Sequence, residues 1–293
     1  MTILVTGSAG MLGTDVLAVL KGRGHTALGV DIRASDRMLD ITDPTAVSAA
    51  FHEIRPDAVV HCAAYTNVDG AETDTDIAYR LNALGTWSIA QACRRYGVRL
   101  CYVSTDYVFD GTKRQPYHEF DVPHPINAYG ETKLAGERAA CTACPDTRIV
   151  RTAWLYGLNG RAFPGVIIRA AREGRPLRVV ADQVGSPTFT VDLAETIADV
   201  LDAPHGTYHC TNAGQTSWYE FARHAVQFAN MDPSVVEPIR TRDWPSAACR
   251  PRYSVMTSLM CPSVGLSAMR PWENALASYV AAYCDECTDN ASR

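Results

Sequence analysis

The amino-terminal half of the chain alternates short apolar runs with segments whose apolar residues recur at helical spacing. The first run, Thr2–Thr6, is β-branched and apolar and ends at Gly7, as expected for a strand buried on both faces of a parallel sheet. Apolar positions then predict a helix over Leu12–Gly22, and Thr26–Val30 predicts the next strand. This order is typical of a β-α-β unit.

The same alternation continues to about residue 153. It predicts strands and helices in turn, at Pro44–Ile54 (helix), Ala58–His61 (strand), Ala71–Tyr96 (helix), Arg99–Ser104 (strand), Ala128–Ala143 (helix) and Thr147–Arg151 (strand). Repeated units of this length predict an α/β fold with a doubly wound parallel sheet. Beyond about Trp154 the pattern becomes irregular, with glycines and prolines around one predicted helix, Ala162–Arg172.

These patterns predict the organisation of the whole chain. We expect a dinucleotide-binding core over 1–153 and a smaller carboxy-terminal substrate lobe over 154–287, interleaved with the core. Residues 288–293 read as a disordered tail.

Charge and composition exclude several classes of protein. The chain has 293 residues and a formal net charge of −5, so it has no basic field that would attract nucleic acid or an anionic membrane. No stretch reaches the roughly 20 apolar residues of a membrane span, and the first residues lack a signal peptide. Ten cysteines are scattered among the predicted elements. We therefore expect a cytoplasmic protein.

Two C-x-x-C pairs raise the question of a metal site. Cys141 with Cys144 and Cys284 with Cys287 would supply four thiolates, which is a zinc-binding set. Neither pair lies in a glycine turn or has a histidine beside it. We predict no metal.

A glycine-rich turn directly follows the first strand. Gly7, Gly10 and Gly13 are spaced G-x-x-G-x-x-G and open the first helix. Gly7 permits the tight turn, Gly10 lets the backbone approach a pyrophosphate, and Gly13 lets helix and strand pack closely. The free N–H groups and positive dipole of the helix N-terminus favour an anion there. The turn predicts a dinucleotide site.

The end of the second strand carries two residues that point to different cofactors. Asp31 is placed to accept hydrogen bonds from the adenosine ribose hydroxyls, which favours NADH. Arg33 is placed to pair with a 2′-phosphate, which favours NADPH. The sequence leaves both cofactors open.

A tyrosine and a lysine share one face of the helix that follows the strand carrying Thr105. Tyr129 and Lys133 are spaced i, i+4. A phenol has an unperturbed pKa near 10, and a neighbouring cation lowers it by favouring the phenolate. The pair predicts proton transfer by Tyr129, although the same spacing is also common in surface pairs.

Longer motifs give the chain a resemblance to a known family. They are Ser104–Gly111 (STDYVFDG), Tyr129–Glu137 (YGETKLAGE), Arg151–Gly157 (RTAWLYG) and Asp182–Thr188 (DQVGSPT). With the glycine turn, Ala63–Thr66 and Arg250–Ser254, the chain resembles the dTDP-4-dehydrorhamnose reductases from Met1 to about Tyr283.

The resemblance implies a Rossmann core of the extended short-chain dehydrogenase/reductase type and a catalytic trio of Thr105, Tyr129 and Lys133. Thr105 would hydrogen-bond the C4 carbonyl of a dTDP-4-keto-6-deoxyhexose, Tyr129 would protonate its oxygen, and Lys133 would hold Tyr129 acidic. Asp106 and Trp154 would touch the sugar nucleotide. The resemblance also implies which residues line the cofactor, NADPH or NADH. They are Gly10, Met11, Leu12, Asp31, Asp40, Ile41, Ala64, Tyr65 and Thr66, with Ala63 beside them.

Other interpretations stay open. Related dehydratases place an acidic pair after the threonine, where this chain has Asp106 and Tyr107, so elimination is disfavoured. An epimerase is a further alternative, and so is the regulatory subunit of methionine adenosyltransferase, which binds a dinucleotide and a partner protein.

Arg250 and Arg252 are candidates for a diphosphate contact, with Ser254 beside them. A homodimer and the sugar epimer are undecided.

Some relatives link dimers through magnesium held by glutamates. Asp15 and Asp192 stand at the corresponding positions, but their shorter side chains reach less far. The metal is therefore not predicted here.

Overall fold

The computed structural model describes residues 1–33 and 36–291, and of 286–291 it describes the backbone. Strands are numbered along the chain as β1 (Thr2–Thr6), β2 (Thr26–Asp31), β3 (Arg37–Met38), β4 (Ala58–His61), β5 (Arg99–Thr105), β6 (Thr147–Thr152), β7 (Leu155–Tyr156), β8 (Leu177–Val180), β9 (Val184–Gly185), β10 (Thr188–Phe189), β11 (Gly206–His209), β12 (Thr216–Ser217) and β13 (Val236–Ile239). The α-helices are α1 (Met11–Gly22), α2 (Pro44–Ile54), α3 (Thr75–Tyr79), α4 (Thr86–Tyr96), α5 (Ala128–Ala143), α6 (Phe163–Arg172), α7 (Thr190–Val200), α8 (Trp218–Phe228), α9 (Met260–Ser263) and α10 (Trp272–Ala291).

A parallel sheet of seven strands forms the centre of the molecule. Its strand order is β11-β6-β5-β4-β1-β2-β3. The chain runs outward from β1 in one direction and then returns to build the other half. This confirms the predicted doubly wound α/β fold.

Side chains on the two faces of the sheet belong to separate apolar clusters. Ile3 and Val5 pack with Val16 of α1 and Leu193 of α7. Leu4, which lies between them on β1, packs with a second cluster built from α2, α4 and α5. Because successive strand residues point to opposite faces, a continuous apolar run is what a sheet covered on both sides requires.

A smaller unit packs beside the carboxyl ends of the strands. The short parallel pair β8 and β13 lies against α6 and α8. An aromatic cluster joins α8 to α10, with Tyr156, Phe221, Trp272 and Tyr279 all buried. Their rings meet mainly edge to face, an arrangement that aromatic pairs favour.

The long helix predicted over Ala71–Tyr96 is confirmed from Thr75 onwards, but it begins later than predicted and is not α-helical throughout. A 3₁₀ turn, Gly70–Glu72, precedes it, and a π-helical stretch, Arg80–Gly85, joins α3 to α4. Gly85 packs closely on Ile41, where a Cβ would come within 2.7 Å of the Ile41 side chain. Tertiary contacts therefore set the path here, and π-helical segments occur often at functional sites.

The region beyond Trp154 holds more regular structure than the single helix predicted. Helix α7 packs on α1, and β11 extends the central sheet beside β6. Glycines and prolines punctuate these short elements, which hides their periodicity. The tail predicted over 288–293 is helical as far as Ala291, and 292–293 lie outside the described residues.

One ion pair is buried between the sheet and α5. Arg151 of β6 and Glu137 of α5 approach to 2.7 Å, and both side chains are almost fully buried. Ser104 donates a further hydrogen bond to Glu137 at 2.6 Å.

Across the described part of the chain, no helix has the length and apolar character needed to cross a membrane.

Removing one member of this buried pair should destabilise the protein strongly. Glu137→Leu leaves the Arg151 guanidinium buried without its counter-ion, and we expect a loss of about 3–5 kcal/mol in the free energy of unfolding, measured by urea denaturation. Glu195→Leu is the matched control, because Glu195 pairs with Arg23 at the surface and should contribute about 1 kcal/mol or less. Equal losses in the two variants would contradict the prediction.

Candidate active site

The predicted site residues converge at one edge of the central sheet. Because β1, β4, β5 and β6 are parallel, their carboxyl ends lie side by side. Thr6 pairs in register with His61, and Thr105 pairs with Thr152. The glycine turn, the loop after β4 and the residues after β5 and β6 therefore meet at this edge, which is where open α/β sheets bind ligands.

Two of the three glycines in the turn, Gly7 and Gly13, have no room for a side chain. Gly7 has φ +67°, and a Cβ there would come within 2.6 Å of the backbone nitrogen of Ala63. A Cβ on Gly13 would come within 2.2 Å of the Gly7 carbonyl oxygen. Gly10 is the N-cap of α1, and no side chain caps the helix. The turn thus presents bare backbone and the helix N-terminus, which fits the phosphates of a dinucleotide.

Asp31 lies at the carboxyl end of β2, and its carboxylate braces the turn. It accepts hydrogen bonds from the backbone N–H groups of Ala9 at 3.1 Å and Arg33 at 3.0 Å. The Arg33 guanidinium is largely exposed, with its Nε 3.6 Å from Asp31 Oδ1. The acidic and basic candidates therefore lie next to each other at the end of β2.

The remaining predicted cofactor residues lie around the same edge with different exposures. Asp40 is exposed, and its carboxylate accepts from the Thr42 N–H at 2.8 Å, whereas Ile41 is buried. The others follow β4 or begin α1. Thr66 is exposed, Leu12 is buried, and the half-buried members are Met11, Ala63, Ala64 and Tyr65.

Asn82 is a positioning residue that the sequence did not reveal. It is fully buried in the π-helical stretch, and its side-chain amide forms two hydrogen bonds with the backbone of Tyr65, at 2.8 and 3.2 Å. Its Nδ2 also donates to the Thr132 hydroxyl at 2.9 Å. Asn82 therefore ties the loop after β4 to the helix that carries Tyr129. A single asparagine in a π-helical stretch gives no periodic signal.

Tyr129 occupies the first turn of α5, where it is half-buried. Asn127 caps this helix by accepting from the Gly130 N–H at 2.8 Å. Burial raises the pKa of the Tyr129 phenol to about 12, and the neighbouring Thr105 hydroxyl acts in the opposite direction. A Cβ on Gly130 would come within 2.1 Å of the Tyr107 carbonyl oxygen, so the start of α5 lies directly against the segment after β5.

Lys133 is buried one turn after Tyr129 on α5. Its Nζ donates to the Val103 carbonyl oxygen at 2.7 Å and lies 4.3 Å from the centre of the Tyr102 ring. Burial lowers the pKa of Lys133 to about 7, against the effect of Glu137. The sequence predicted that Lys133 holds Tyr129 acidic. Burial is the largest effect on the phenol and raises its pKa, and the role of Lys133 stays a prediction.

Asp106 is buried at the side where substrate is expected. One of its oxygens accepts from the Thr105 hydroxyl at 3.1 Å, and the other has no hydrogen-bond partner among the described residues. Burial raises the pKa of Asp106 to about 7, and contacts with Ser254 and Thr105 lower it. The structure thus brings Asp106 and Ser254 together, although they are far apart in sequence.

Trp154 is held in a strained backbone conformation two residues after β6. Its φ is +46°, which is rare for a residue with a bulky side chain. The indole stacks on Trp218 with centroids 3.6 Å apart, and a Cβ on Gly185 would come within 2.4 Å of the same ring. Such strain persists only where surrounding packing imposes it, and it is frequent at binding sites.

Arg250 is committed to a partner within the chain. Its guanidinium binds Asp69 through two hydrogen bonds, of 3.0 and 2.8 Å, and this pairing holds the pKa of Asp69 well below its usual range. Arg250 also contacts the Tyr107 hydroxyl. Arg252 is exposed. A diphosphate contact by Arg250 would have to compete with Asp69.

The sequence matches a known family model over nearly its whole length. Residues 1–284 match the RmlD substrate binding domain. The chain belongs to this family. Membership agrees with the resemblance seen in the motifs and confirms the expectation of an NAD(P)-dependent oxidoreductase with an extended short-chain dehydrogenase/reductase fold.

Members of the RmlD family with curated names are close relatives. A dTDP-4-dehydrorhamnose reductase of Streptomyces griseus is 43% identical, covering 96% of this chain and 93% of that protein. A dTDP-4-keto-6-deoxy-D-glucose reductase of Streptomyces niveus is 42% identical, covering 93% and 94%. The dTDP-4-dehydrorhamnose reductase of Bacillus anthracis, solved in complex with NADP, is 39% identical with a TM-score of 0.92, covering 96% and 99%.

A side chain at Gly10 should block the dinucleotide site with little effect on folding. Gly10 has an ordinary φ of −85°, and a Cβ there would meet only the Gly7 carbonyl oxygen, at 3.1 Å. For Gly10→Val we expect the Kd for NADPH to rise at least about tenfold, or about 1.4 kcal/mol, in a fluorescence titration. Gly22→Val is the control, since a Cβ there has nothing within 4 Å. Unchanged affinity in Gly10→Val would refute this assignment of the site.

Proposed function

We propose that this chain reduces the C4 keto group of a dTDP-4-keto-6-deoxyhexose with NADPH or NADH, and that dTDP-4-dehydrorhamnose is the substrate. The observation that carries the proposal is the meeting of Thr105, Tyr129 and the bare glycine turn at one sheet edge. The names of the relatives at 42 and 43% identity supply the substrate class.

The cofactor residues divide by the part of the molecule they would hold. The turn from Gly7 to Gly13 would take the pyrophosphate, and Asp31 with Arg33 would take the adenosine ribose. A bound nicotinamide supplies the hydride that the reaction requires. Lys133 and Tyr129 would contact the nicotinamide ribose and set the distance between cofactor and proton donor.

The protein's own part in the reaction is to hold and move one proton. Tyr129 would give its phenolic proton to the C4 oxygen, and the Thr105 hydroxyl would hydrogen-bond the same oxygen. A raised phenol pKa keeps Tyr129 protonated at neutral pH, so the donor is loaded before the sugar binds. Lys133 stabilises the Tyr129 phenolate only when its own amine is protonated, and burial lowers the pKa of that amine to about 7.

The sugar nucleotide would lie between the sheet edge and the smaller unit. Asp106 and Ser254 would contact sugar hydroxyls, and the strained Trp154 would line the same space. The lobe over 154–287 would hold the nucleotide. We expect the protein to act in the cytoplasm, and a homodimer stays a prediction.

Three other functions are compatible with this fold: an epimerase, a dehydratase and a partner-binding regulatory subunit. Tyr107 follows Asp106 where a dehydratase would carry a second carboxylate, and burial raises the pKa of Tyr107 further. A phenol in that state is a poor base for removing a carbon-bound proton. A regulatory subunit would bind the dinucleotide without oxidising it, which the following assay detects.

Removing the Tyr129 hydroxyl should abolish turnover without unfolding the protein. We expect Tyr129→Phe to lower kcat at least about a hundredfold, measured by the loss of NADPH absorbance at 340 nm with dTDP-4-keto-6-deoxy-L-lyxo-hexose. NADH is assayed in parallel. Tyr96→Phe is the matched control, because Tyr96 packs on Phe51 at the far end of α4.

Two results would overturn the proposed reduction. One is a wild-type protein that binds NADPH and oxidises neither cofactor with any 4-keto sugar nucleotide. The other is wild-type turnover in Tyr129→Phe.

A further inference from the structure

We propose that Asp106 supplies the proton that restores Tyr129 after each reduction, through the hydroxyl of Thr105. The inference rests on the proposed reduction and adds a residue to it. It starts from two observations: Thr105 Oγ1 lies 3.1 Å from Asp106 Oδ1, and the second carboxyl oxygen is buried with no partner among the described residues.

The hydrogen bonds of Thr105 make its hydroxyl a proton carrier. A hydroxyl has one hydrogen and two acceptor positions. The backbone N–H of Tyr107 donates to Thr105 Oγ1 at 3.2 Å and fills one acceptor position. If Asp106 is protonated, its O–H fills the other, and the Thr105 hydrogen is left to point towards Tyr129. All three positions of the hydroxyl are then used in one direction whenever the sugar C4 oxygen is absent. While the sugar is bound, the Thr105 hydrogen would point to the C4 oxygen instead, so the relay operates after the product has left.

The surroundings of Asp106 favour the protonated acid. Asp106 is 2% exposed, and an ionised carboxylate with an unpartnered oxygen is costly to bury. The groups that lower its pKa are neutral donors, Ser254, Thr105 and nearby backbone N–H groups. Tyr107 and Tyr129 face it as neutral phenols. With burial as the largest effect, the pKa is about 7, so both protonation states are accessible near neutral pH.

The nearby cations are occupied elsewhere. Arg250 contacts Tyr107, but its guanidinium is bound twice by Asp69. Lys133 donates to the Val103 carbonyl oxygen, and burial lowers its pKa to about 7. Thr105 is the neighbouring side chain whose hydroxyl lowers the pKa of the Tyr129 phenol. A proton that reaches Tyr129 by way of Thr105 comes from Asp106.

The proton transfers balance without any further reactant. During reduction the sugar C4 gains a hydride with its electron pair, and the C4 oxygen gains the proton of Tyr129 as that O–H bond breaks. The phenolate then takes the Thr105 hydroxyl proton, and Thr105 takes the acid proton of Asp106. Asp106 remains as a carboxylate and takes one proton from water before the next turnover. No group of the relay is oxidised or reduced.

The decisive experiment compares the first turnover with later ones in Asp106→Asn. An amide preserves the shape of Asp106 but has no acid proton to transfer. Stopped-flow absorbance at 340 nm should show one NADPH oxidised per site at close to the wild-type rate, because Tyr129 starts protonated. Steady-state kcat should then be lower by about a hundredfold, with the KM for the sugar nucleotide and the Kd for NADPH within about threefold of wild type.

A pH profile supplies a second, independent test. Asp106 must be protonated to act, so wild-type kcat should fall as pH rises through about 7. Because Ser254 lowers the pKa of Asp106, Ser254→Ala should move this fall to higher pH. This test remains available if Asp106→Asn does not fold.

The outcomes separate this proposal from the proposed reduction. A burst followed by slow turnover, or the Ser254→Ala shift, supports the relay. Wild-type kcat in Asp106→Asn overturns it, and so does a raised KM with first and later turnovers slowed equally, since Asp106 would then only position the sugar. A fall in kcat that Ser254→Ala does not shift also counts against it. If the wild-type protein oxidises neither NADPH nor NADH, the proposed reduction itself is wrong.

Discussion

The close approach of the glycine turn to the loop after β4 is the constraint on which the site depends. A Cβ on Gly7 would come within 2.6 Å of Ala63, so the two strand ends meet backbone to backbone. The Thr6 hydroxyl accepts from the Ala63 N–H at 3.3 Å and contacts His61 at 2.6 Å. This contact brings the glycine turn and the loop that follows β4 to a fixed separation.

A buried chain of hydrogen bonds links these two segments to α5, the helix that carries Tyr129. His61 contacts the Thr86 hydroxyl at 3.1 Å, and Thr86 donates to the Asn82 carbonyl oxygen at 2.7 Å. Asn82 then reaches Tyr65 and Thr132. Burial lowers the pKa of His61 to about 3, so its ring stays neutral and can both donate and accept. A fully satisfied polar chain of this kind rigidifies the elements that it joins.

The sequence predicted well where the sheet dictates the pattern and poorly where tertiary contacts do. β1, α2, β4 and α5 begin and end at the predicted residues, because buried strands and capped helices carry local signals. The π-helical stretch around Asn82 and the strand β11 were missed. The π-helical stretch depends on side-chain contacts with a distant loop. Strand β11 has only four residues, which is too short to give a clear pattern. The motifs located Tyr129 and Lys133, but no spacing predicts the contact between Asp106 and Ser254.

Burial shifts the pKa values of the titratable side chains in the site, and the spacing of these residues in the sequence does not predict the shifts. It raises the pKa of Tyr129 and Asp106 and lowers that of Lys133, so every group moves towards its neutral form. A site of neutral acids suits a reaction that consumes one proton per turnover, because the donor is loaded when substrate arrives. The difficulty then lies in replacing the proton on Tyr129. A carboxyl with a pKa near neutrality, one hydroxyl away from the phenol, can fill that need, whereas a carboxylate of ordinary pKa would hold no proton to give.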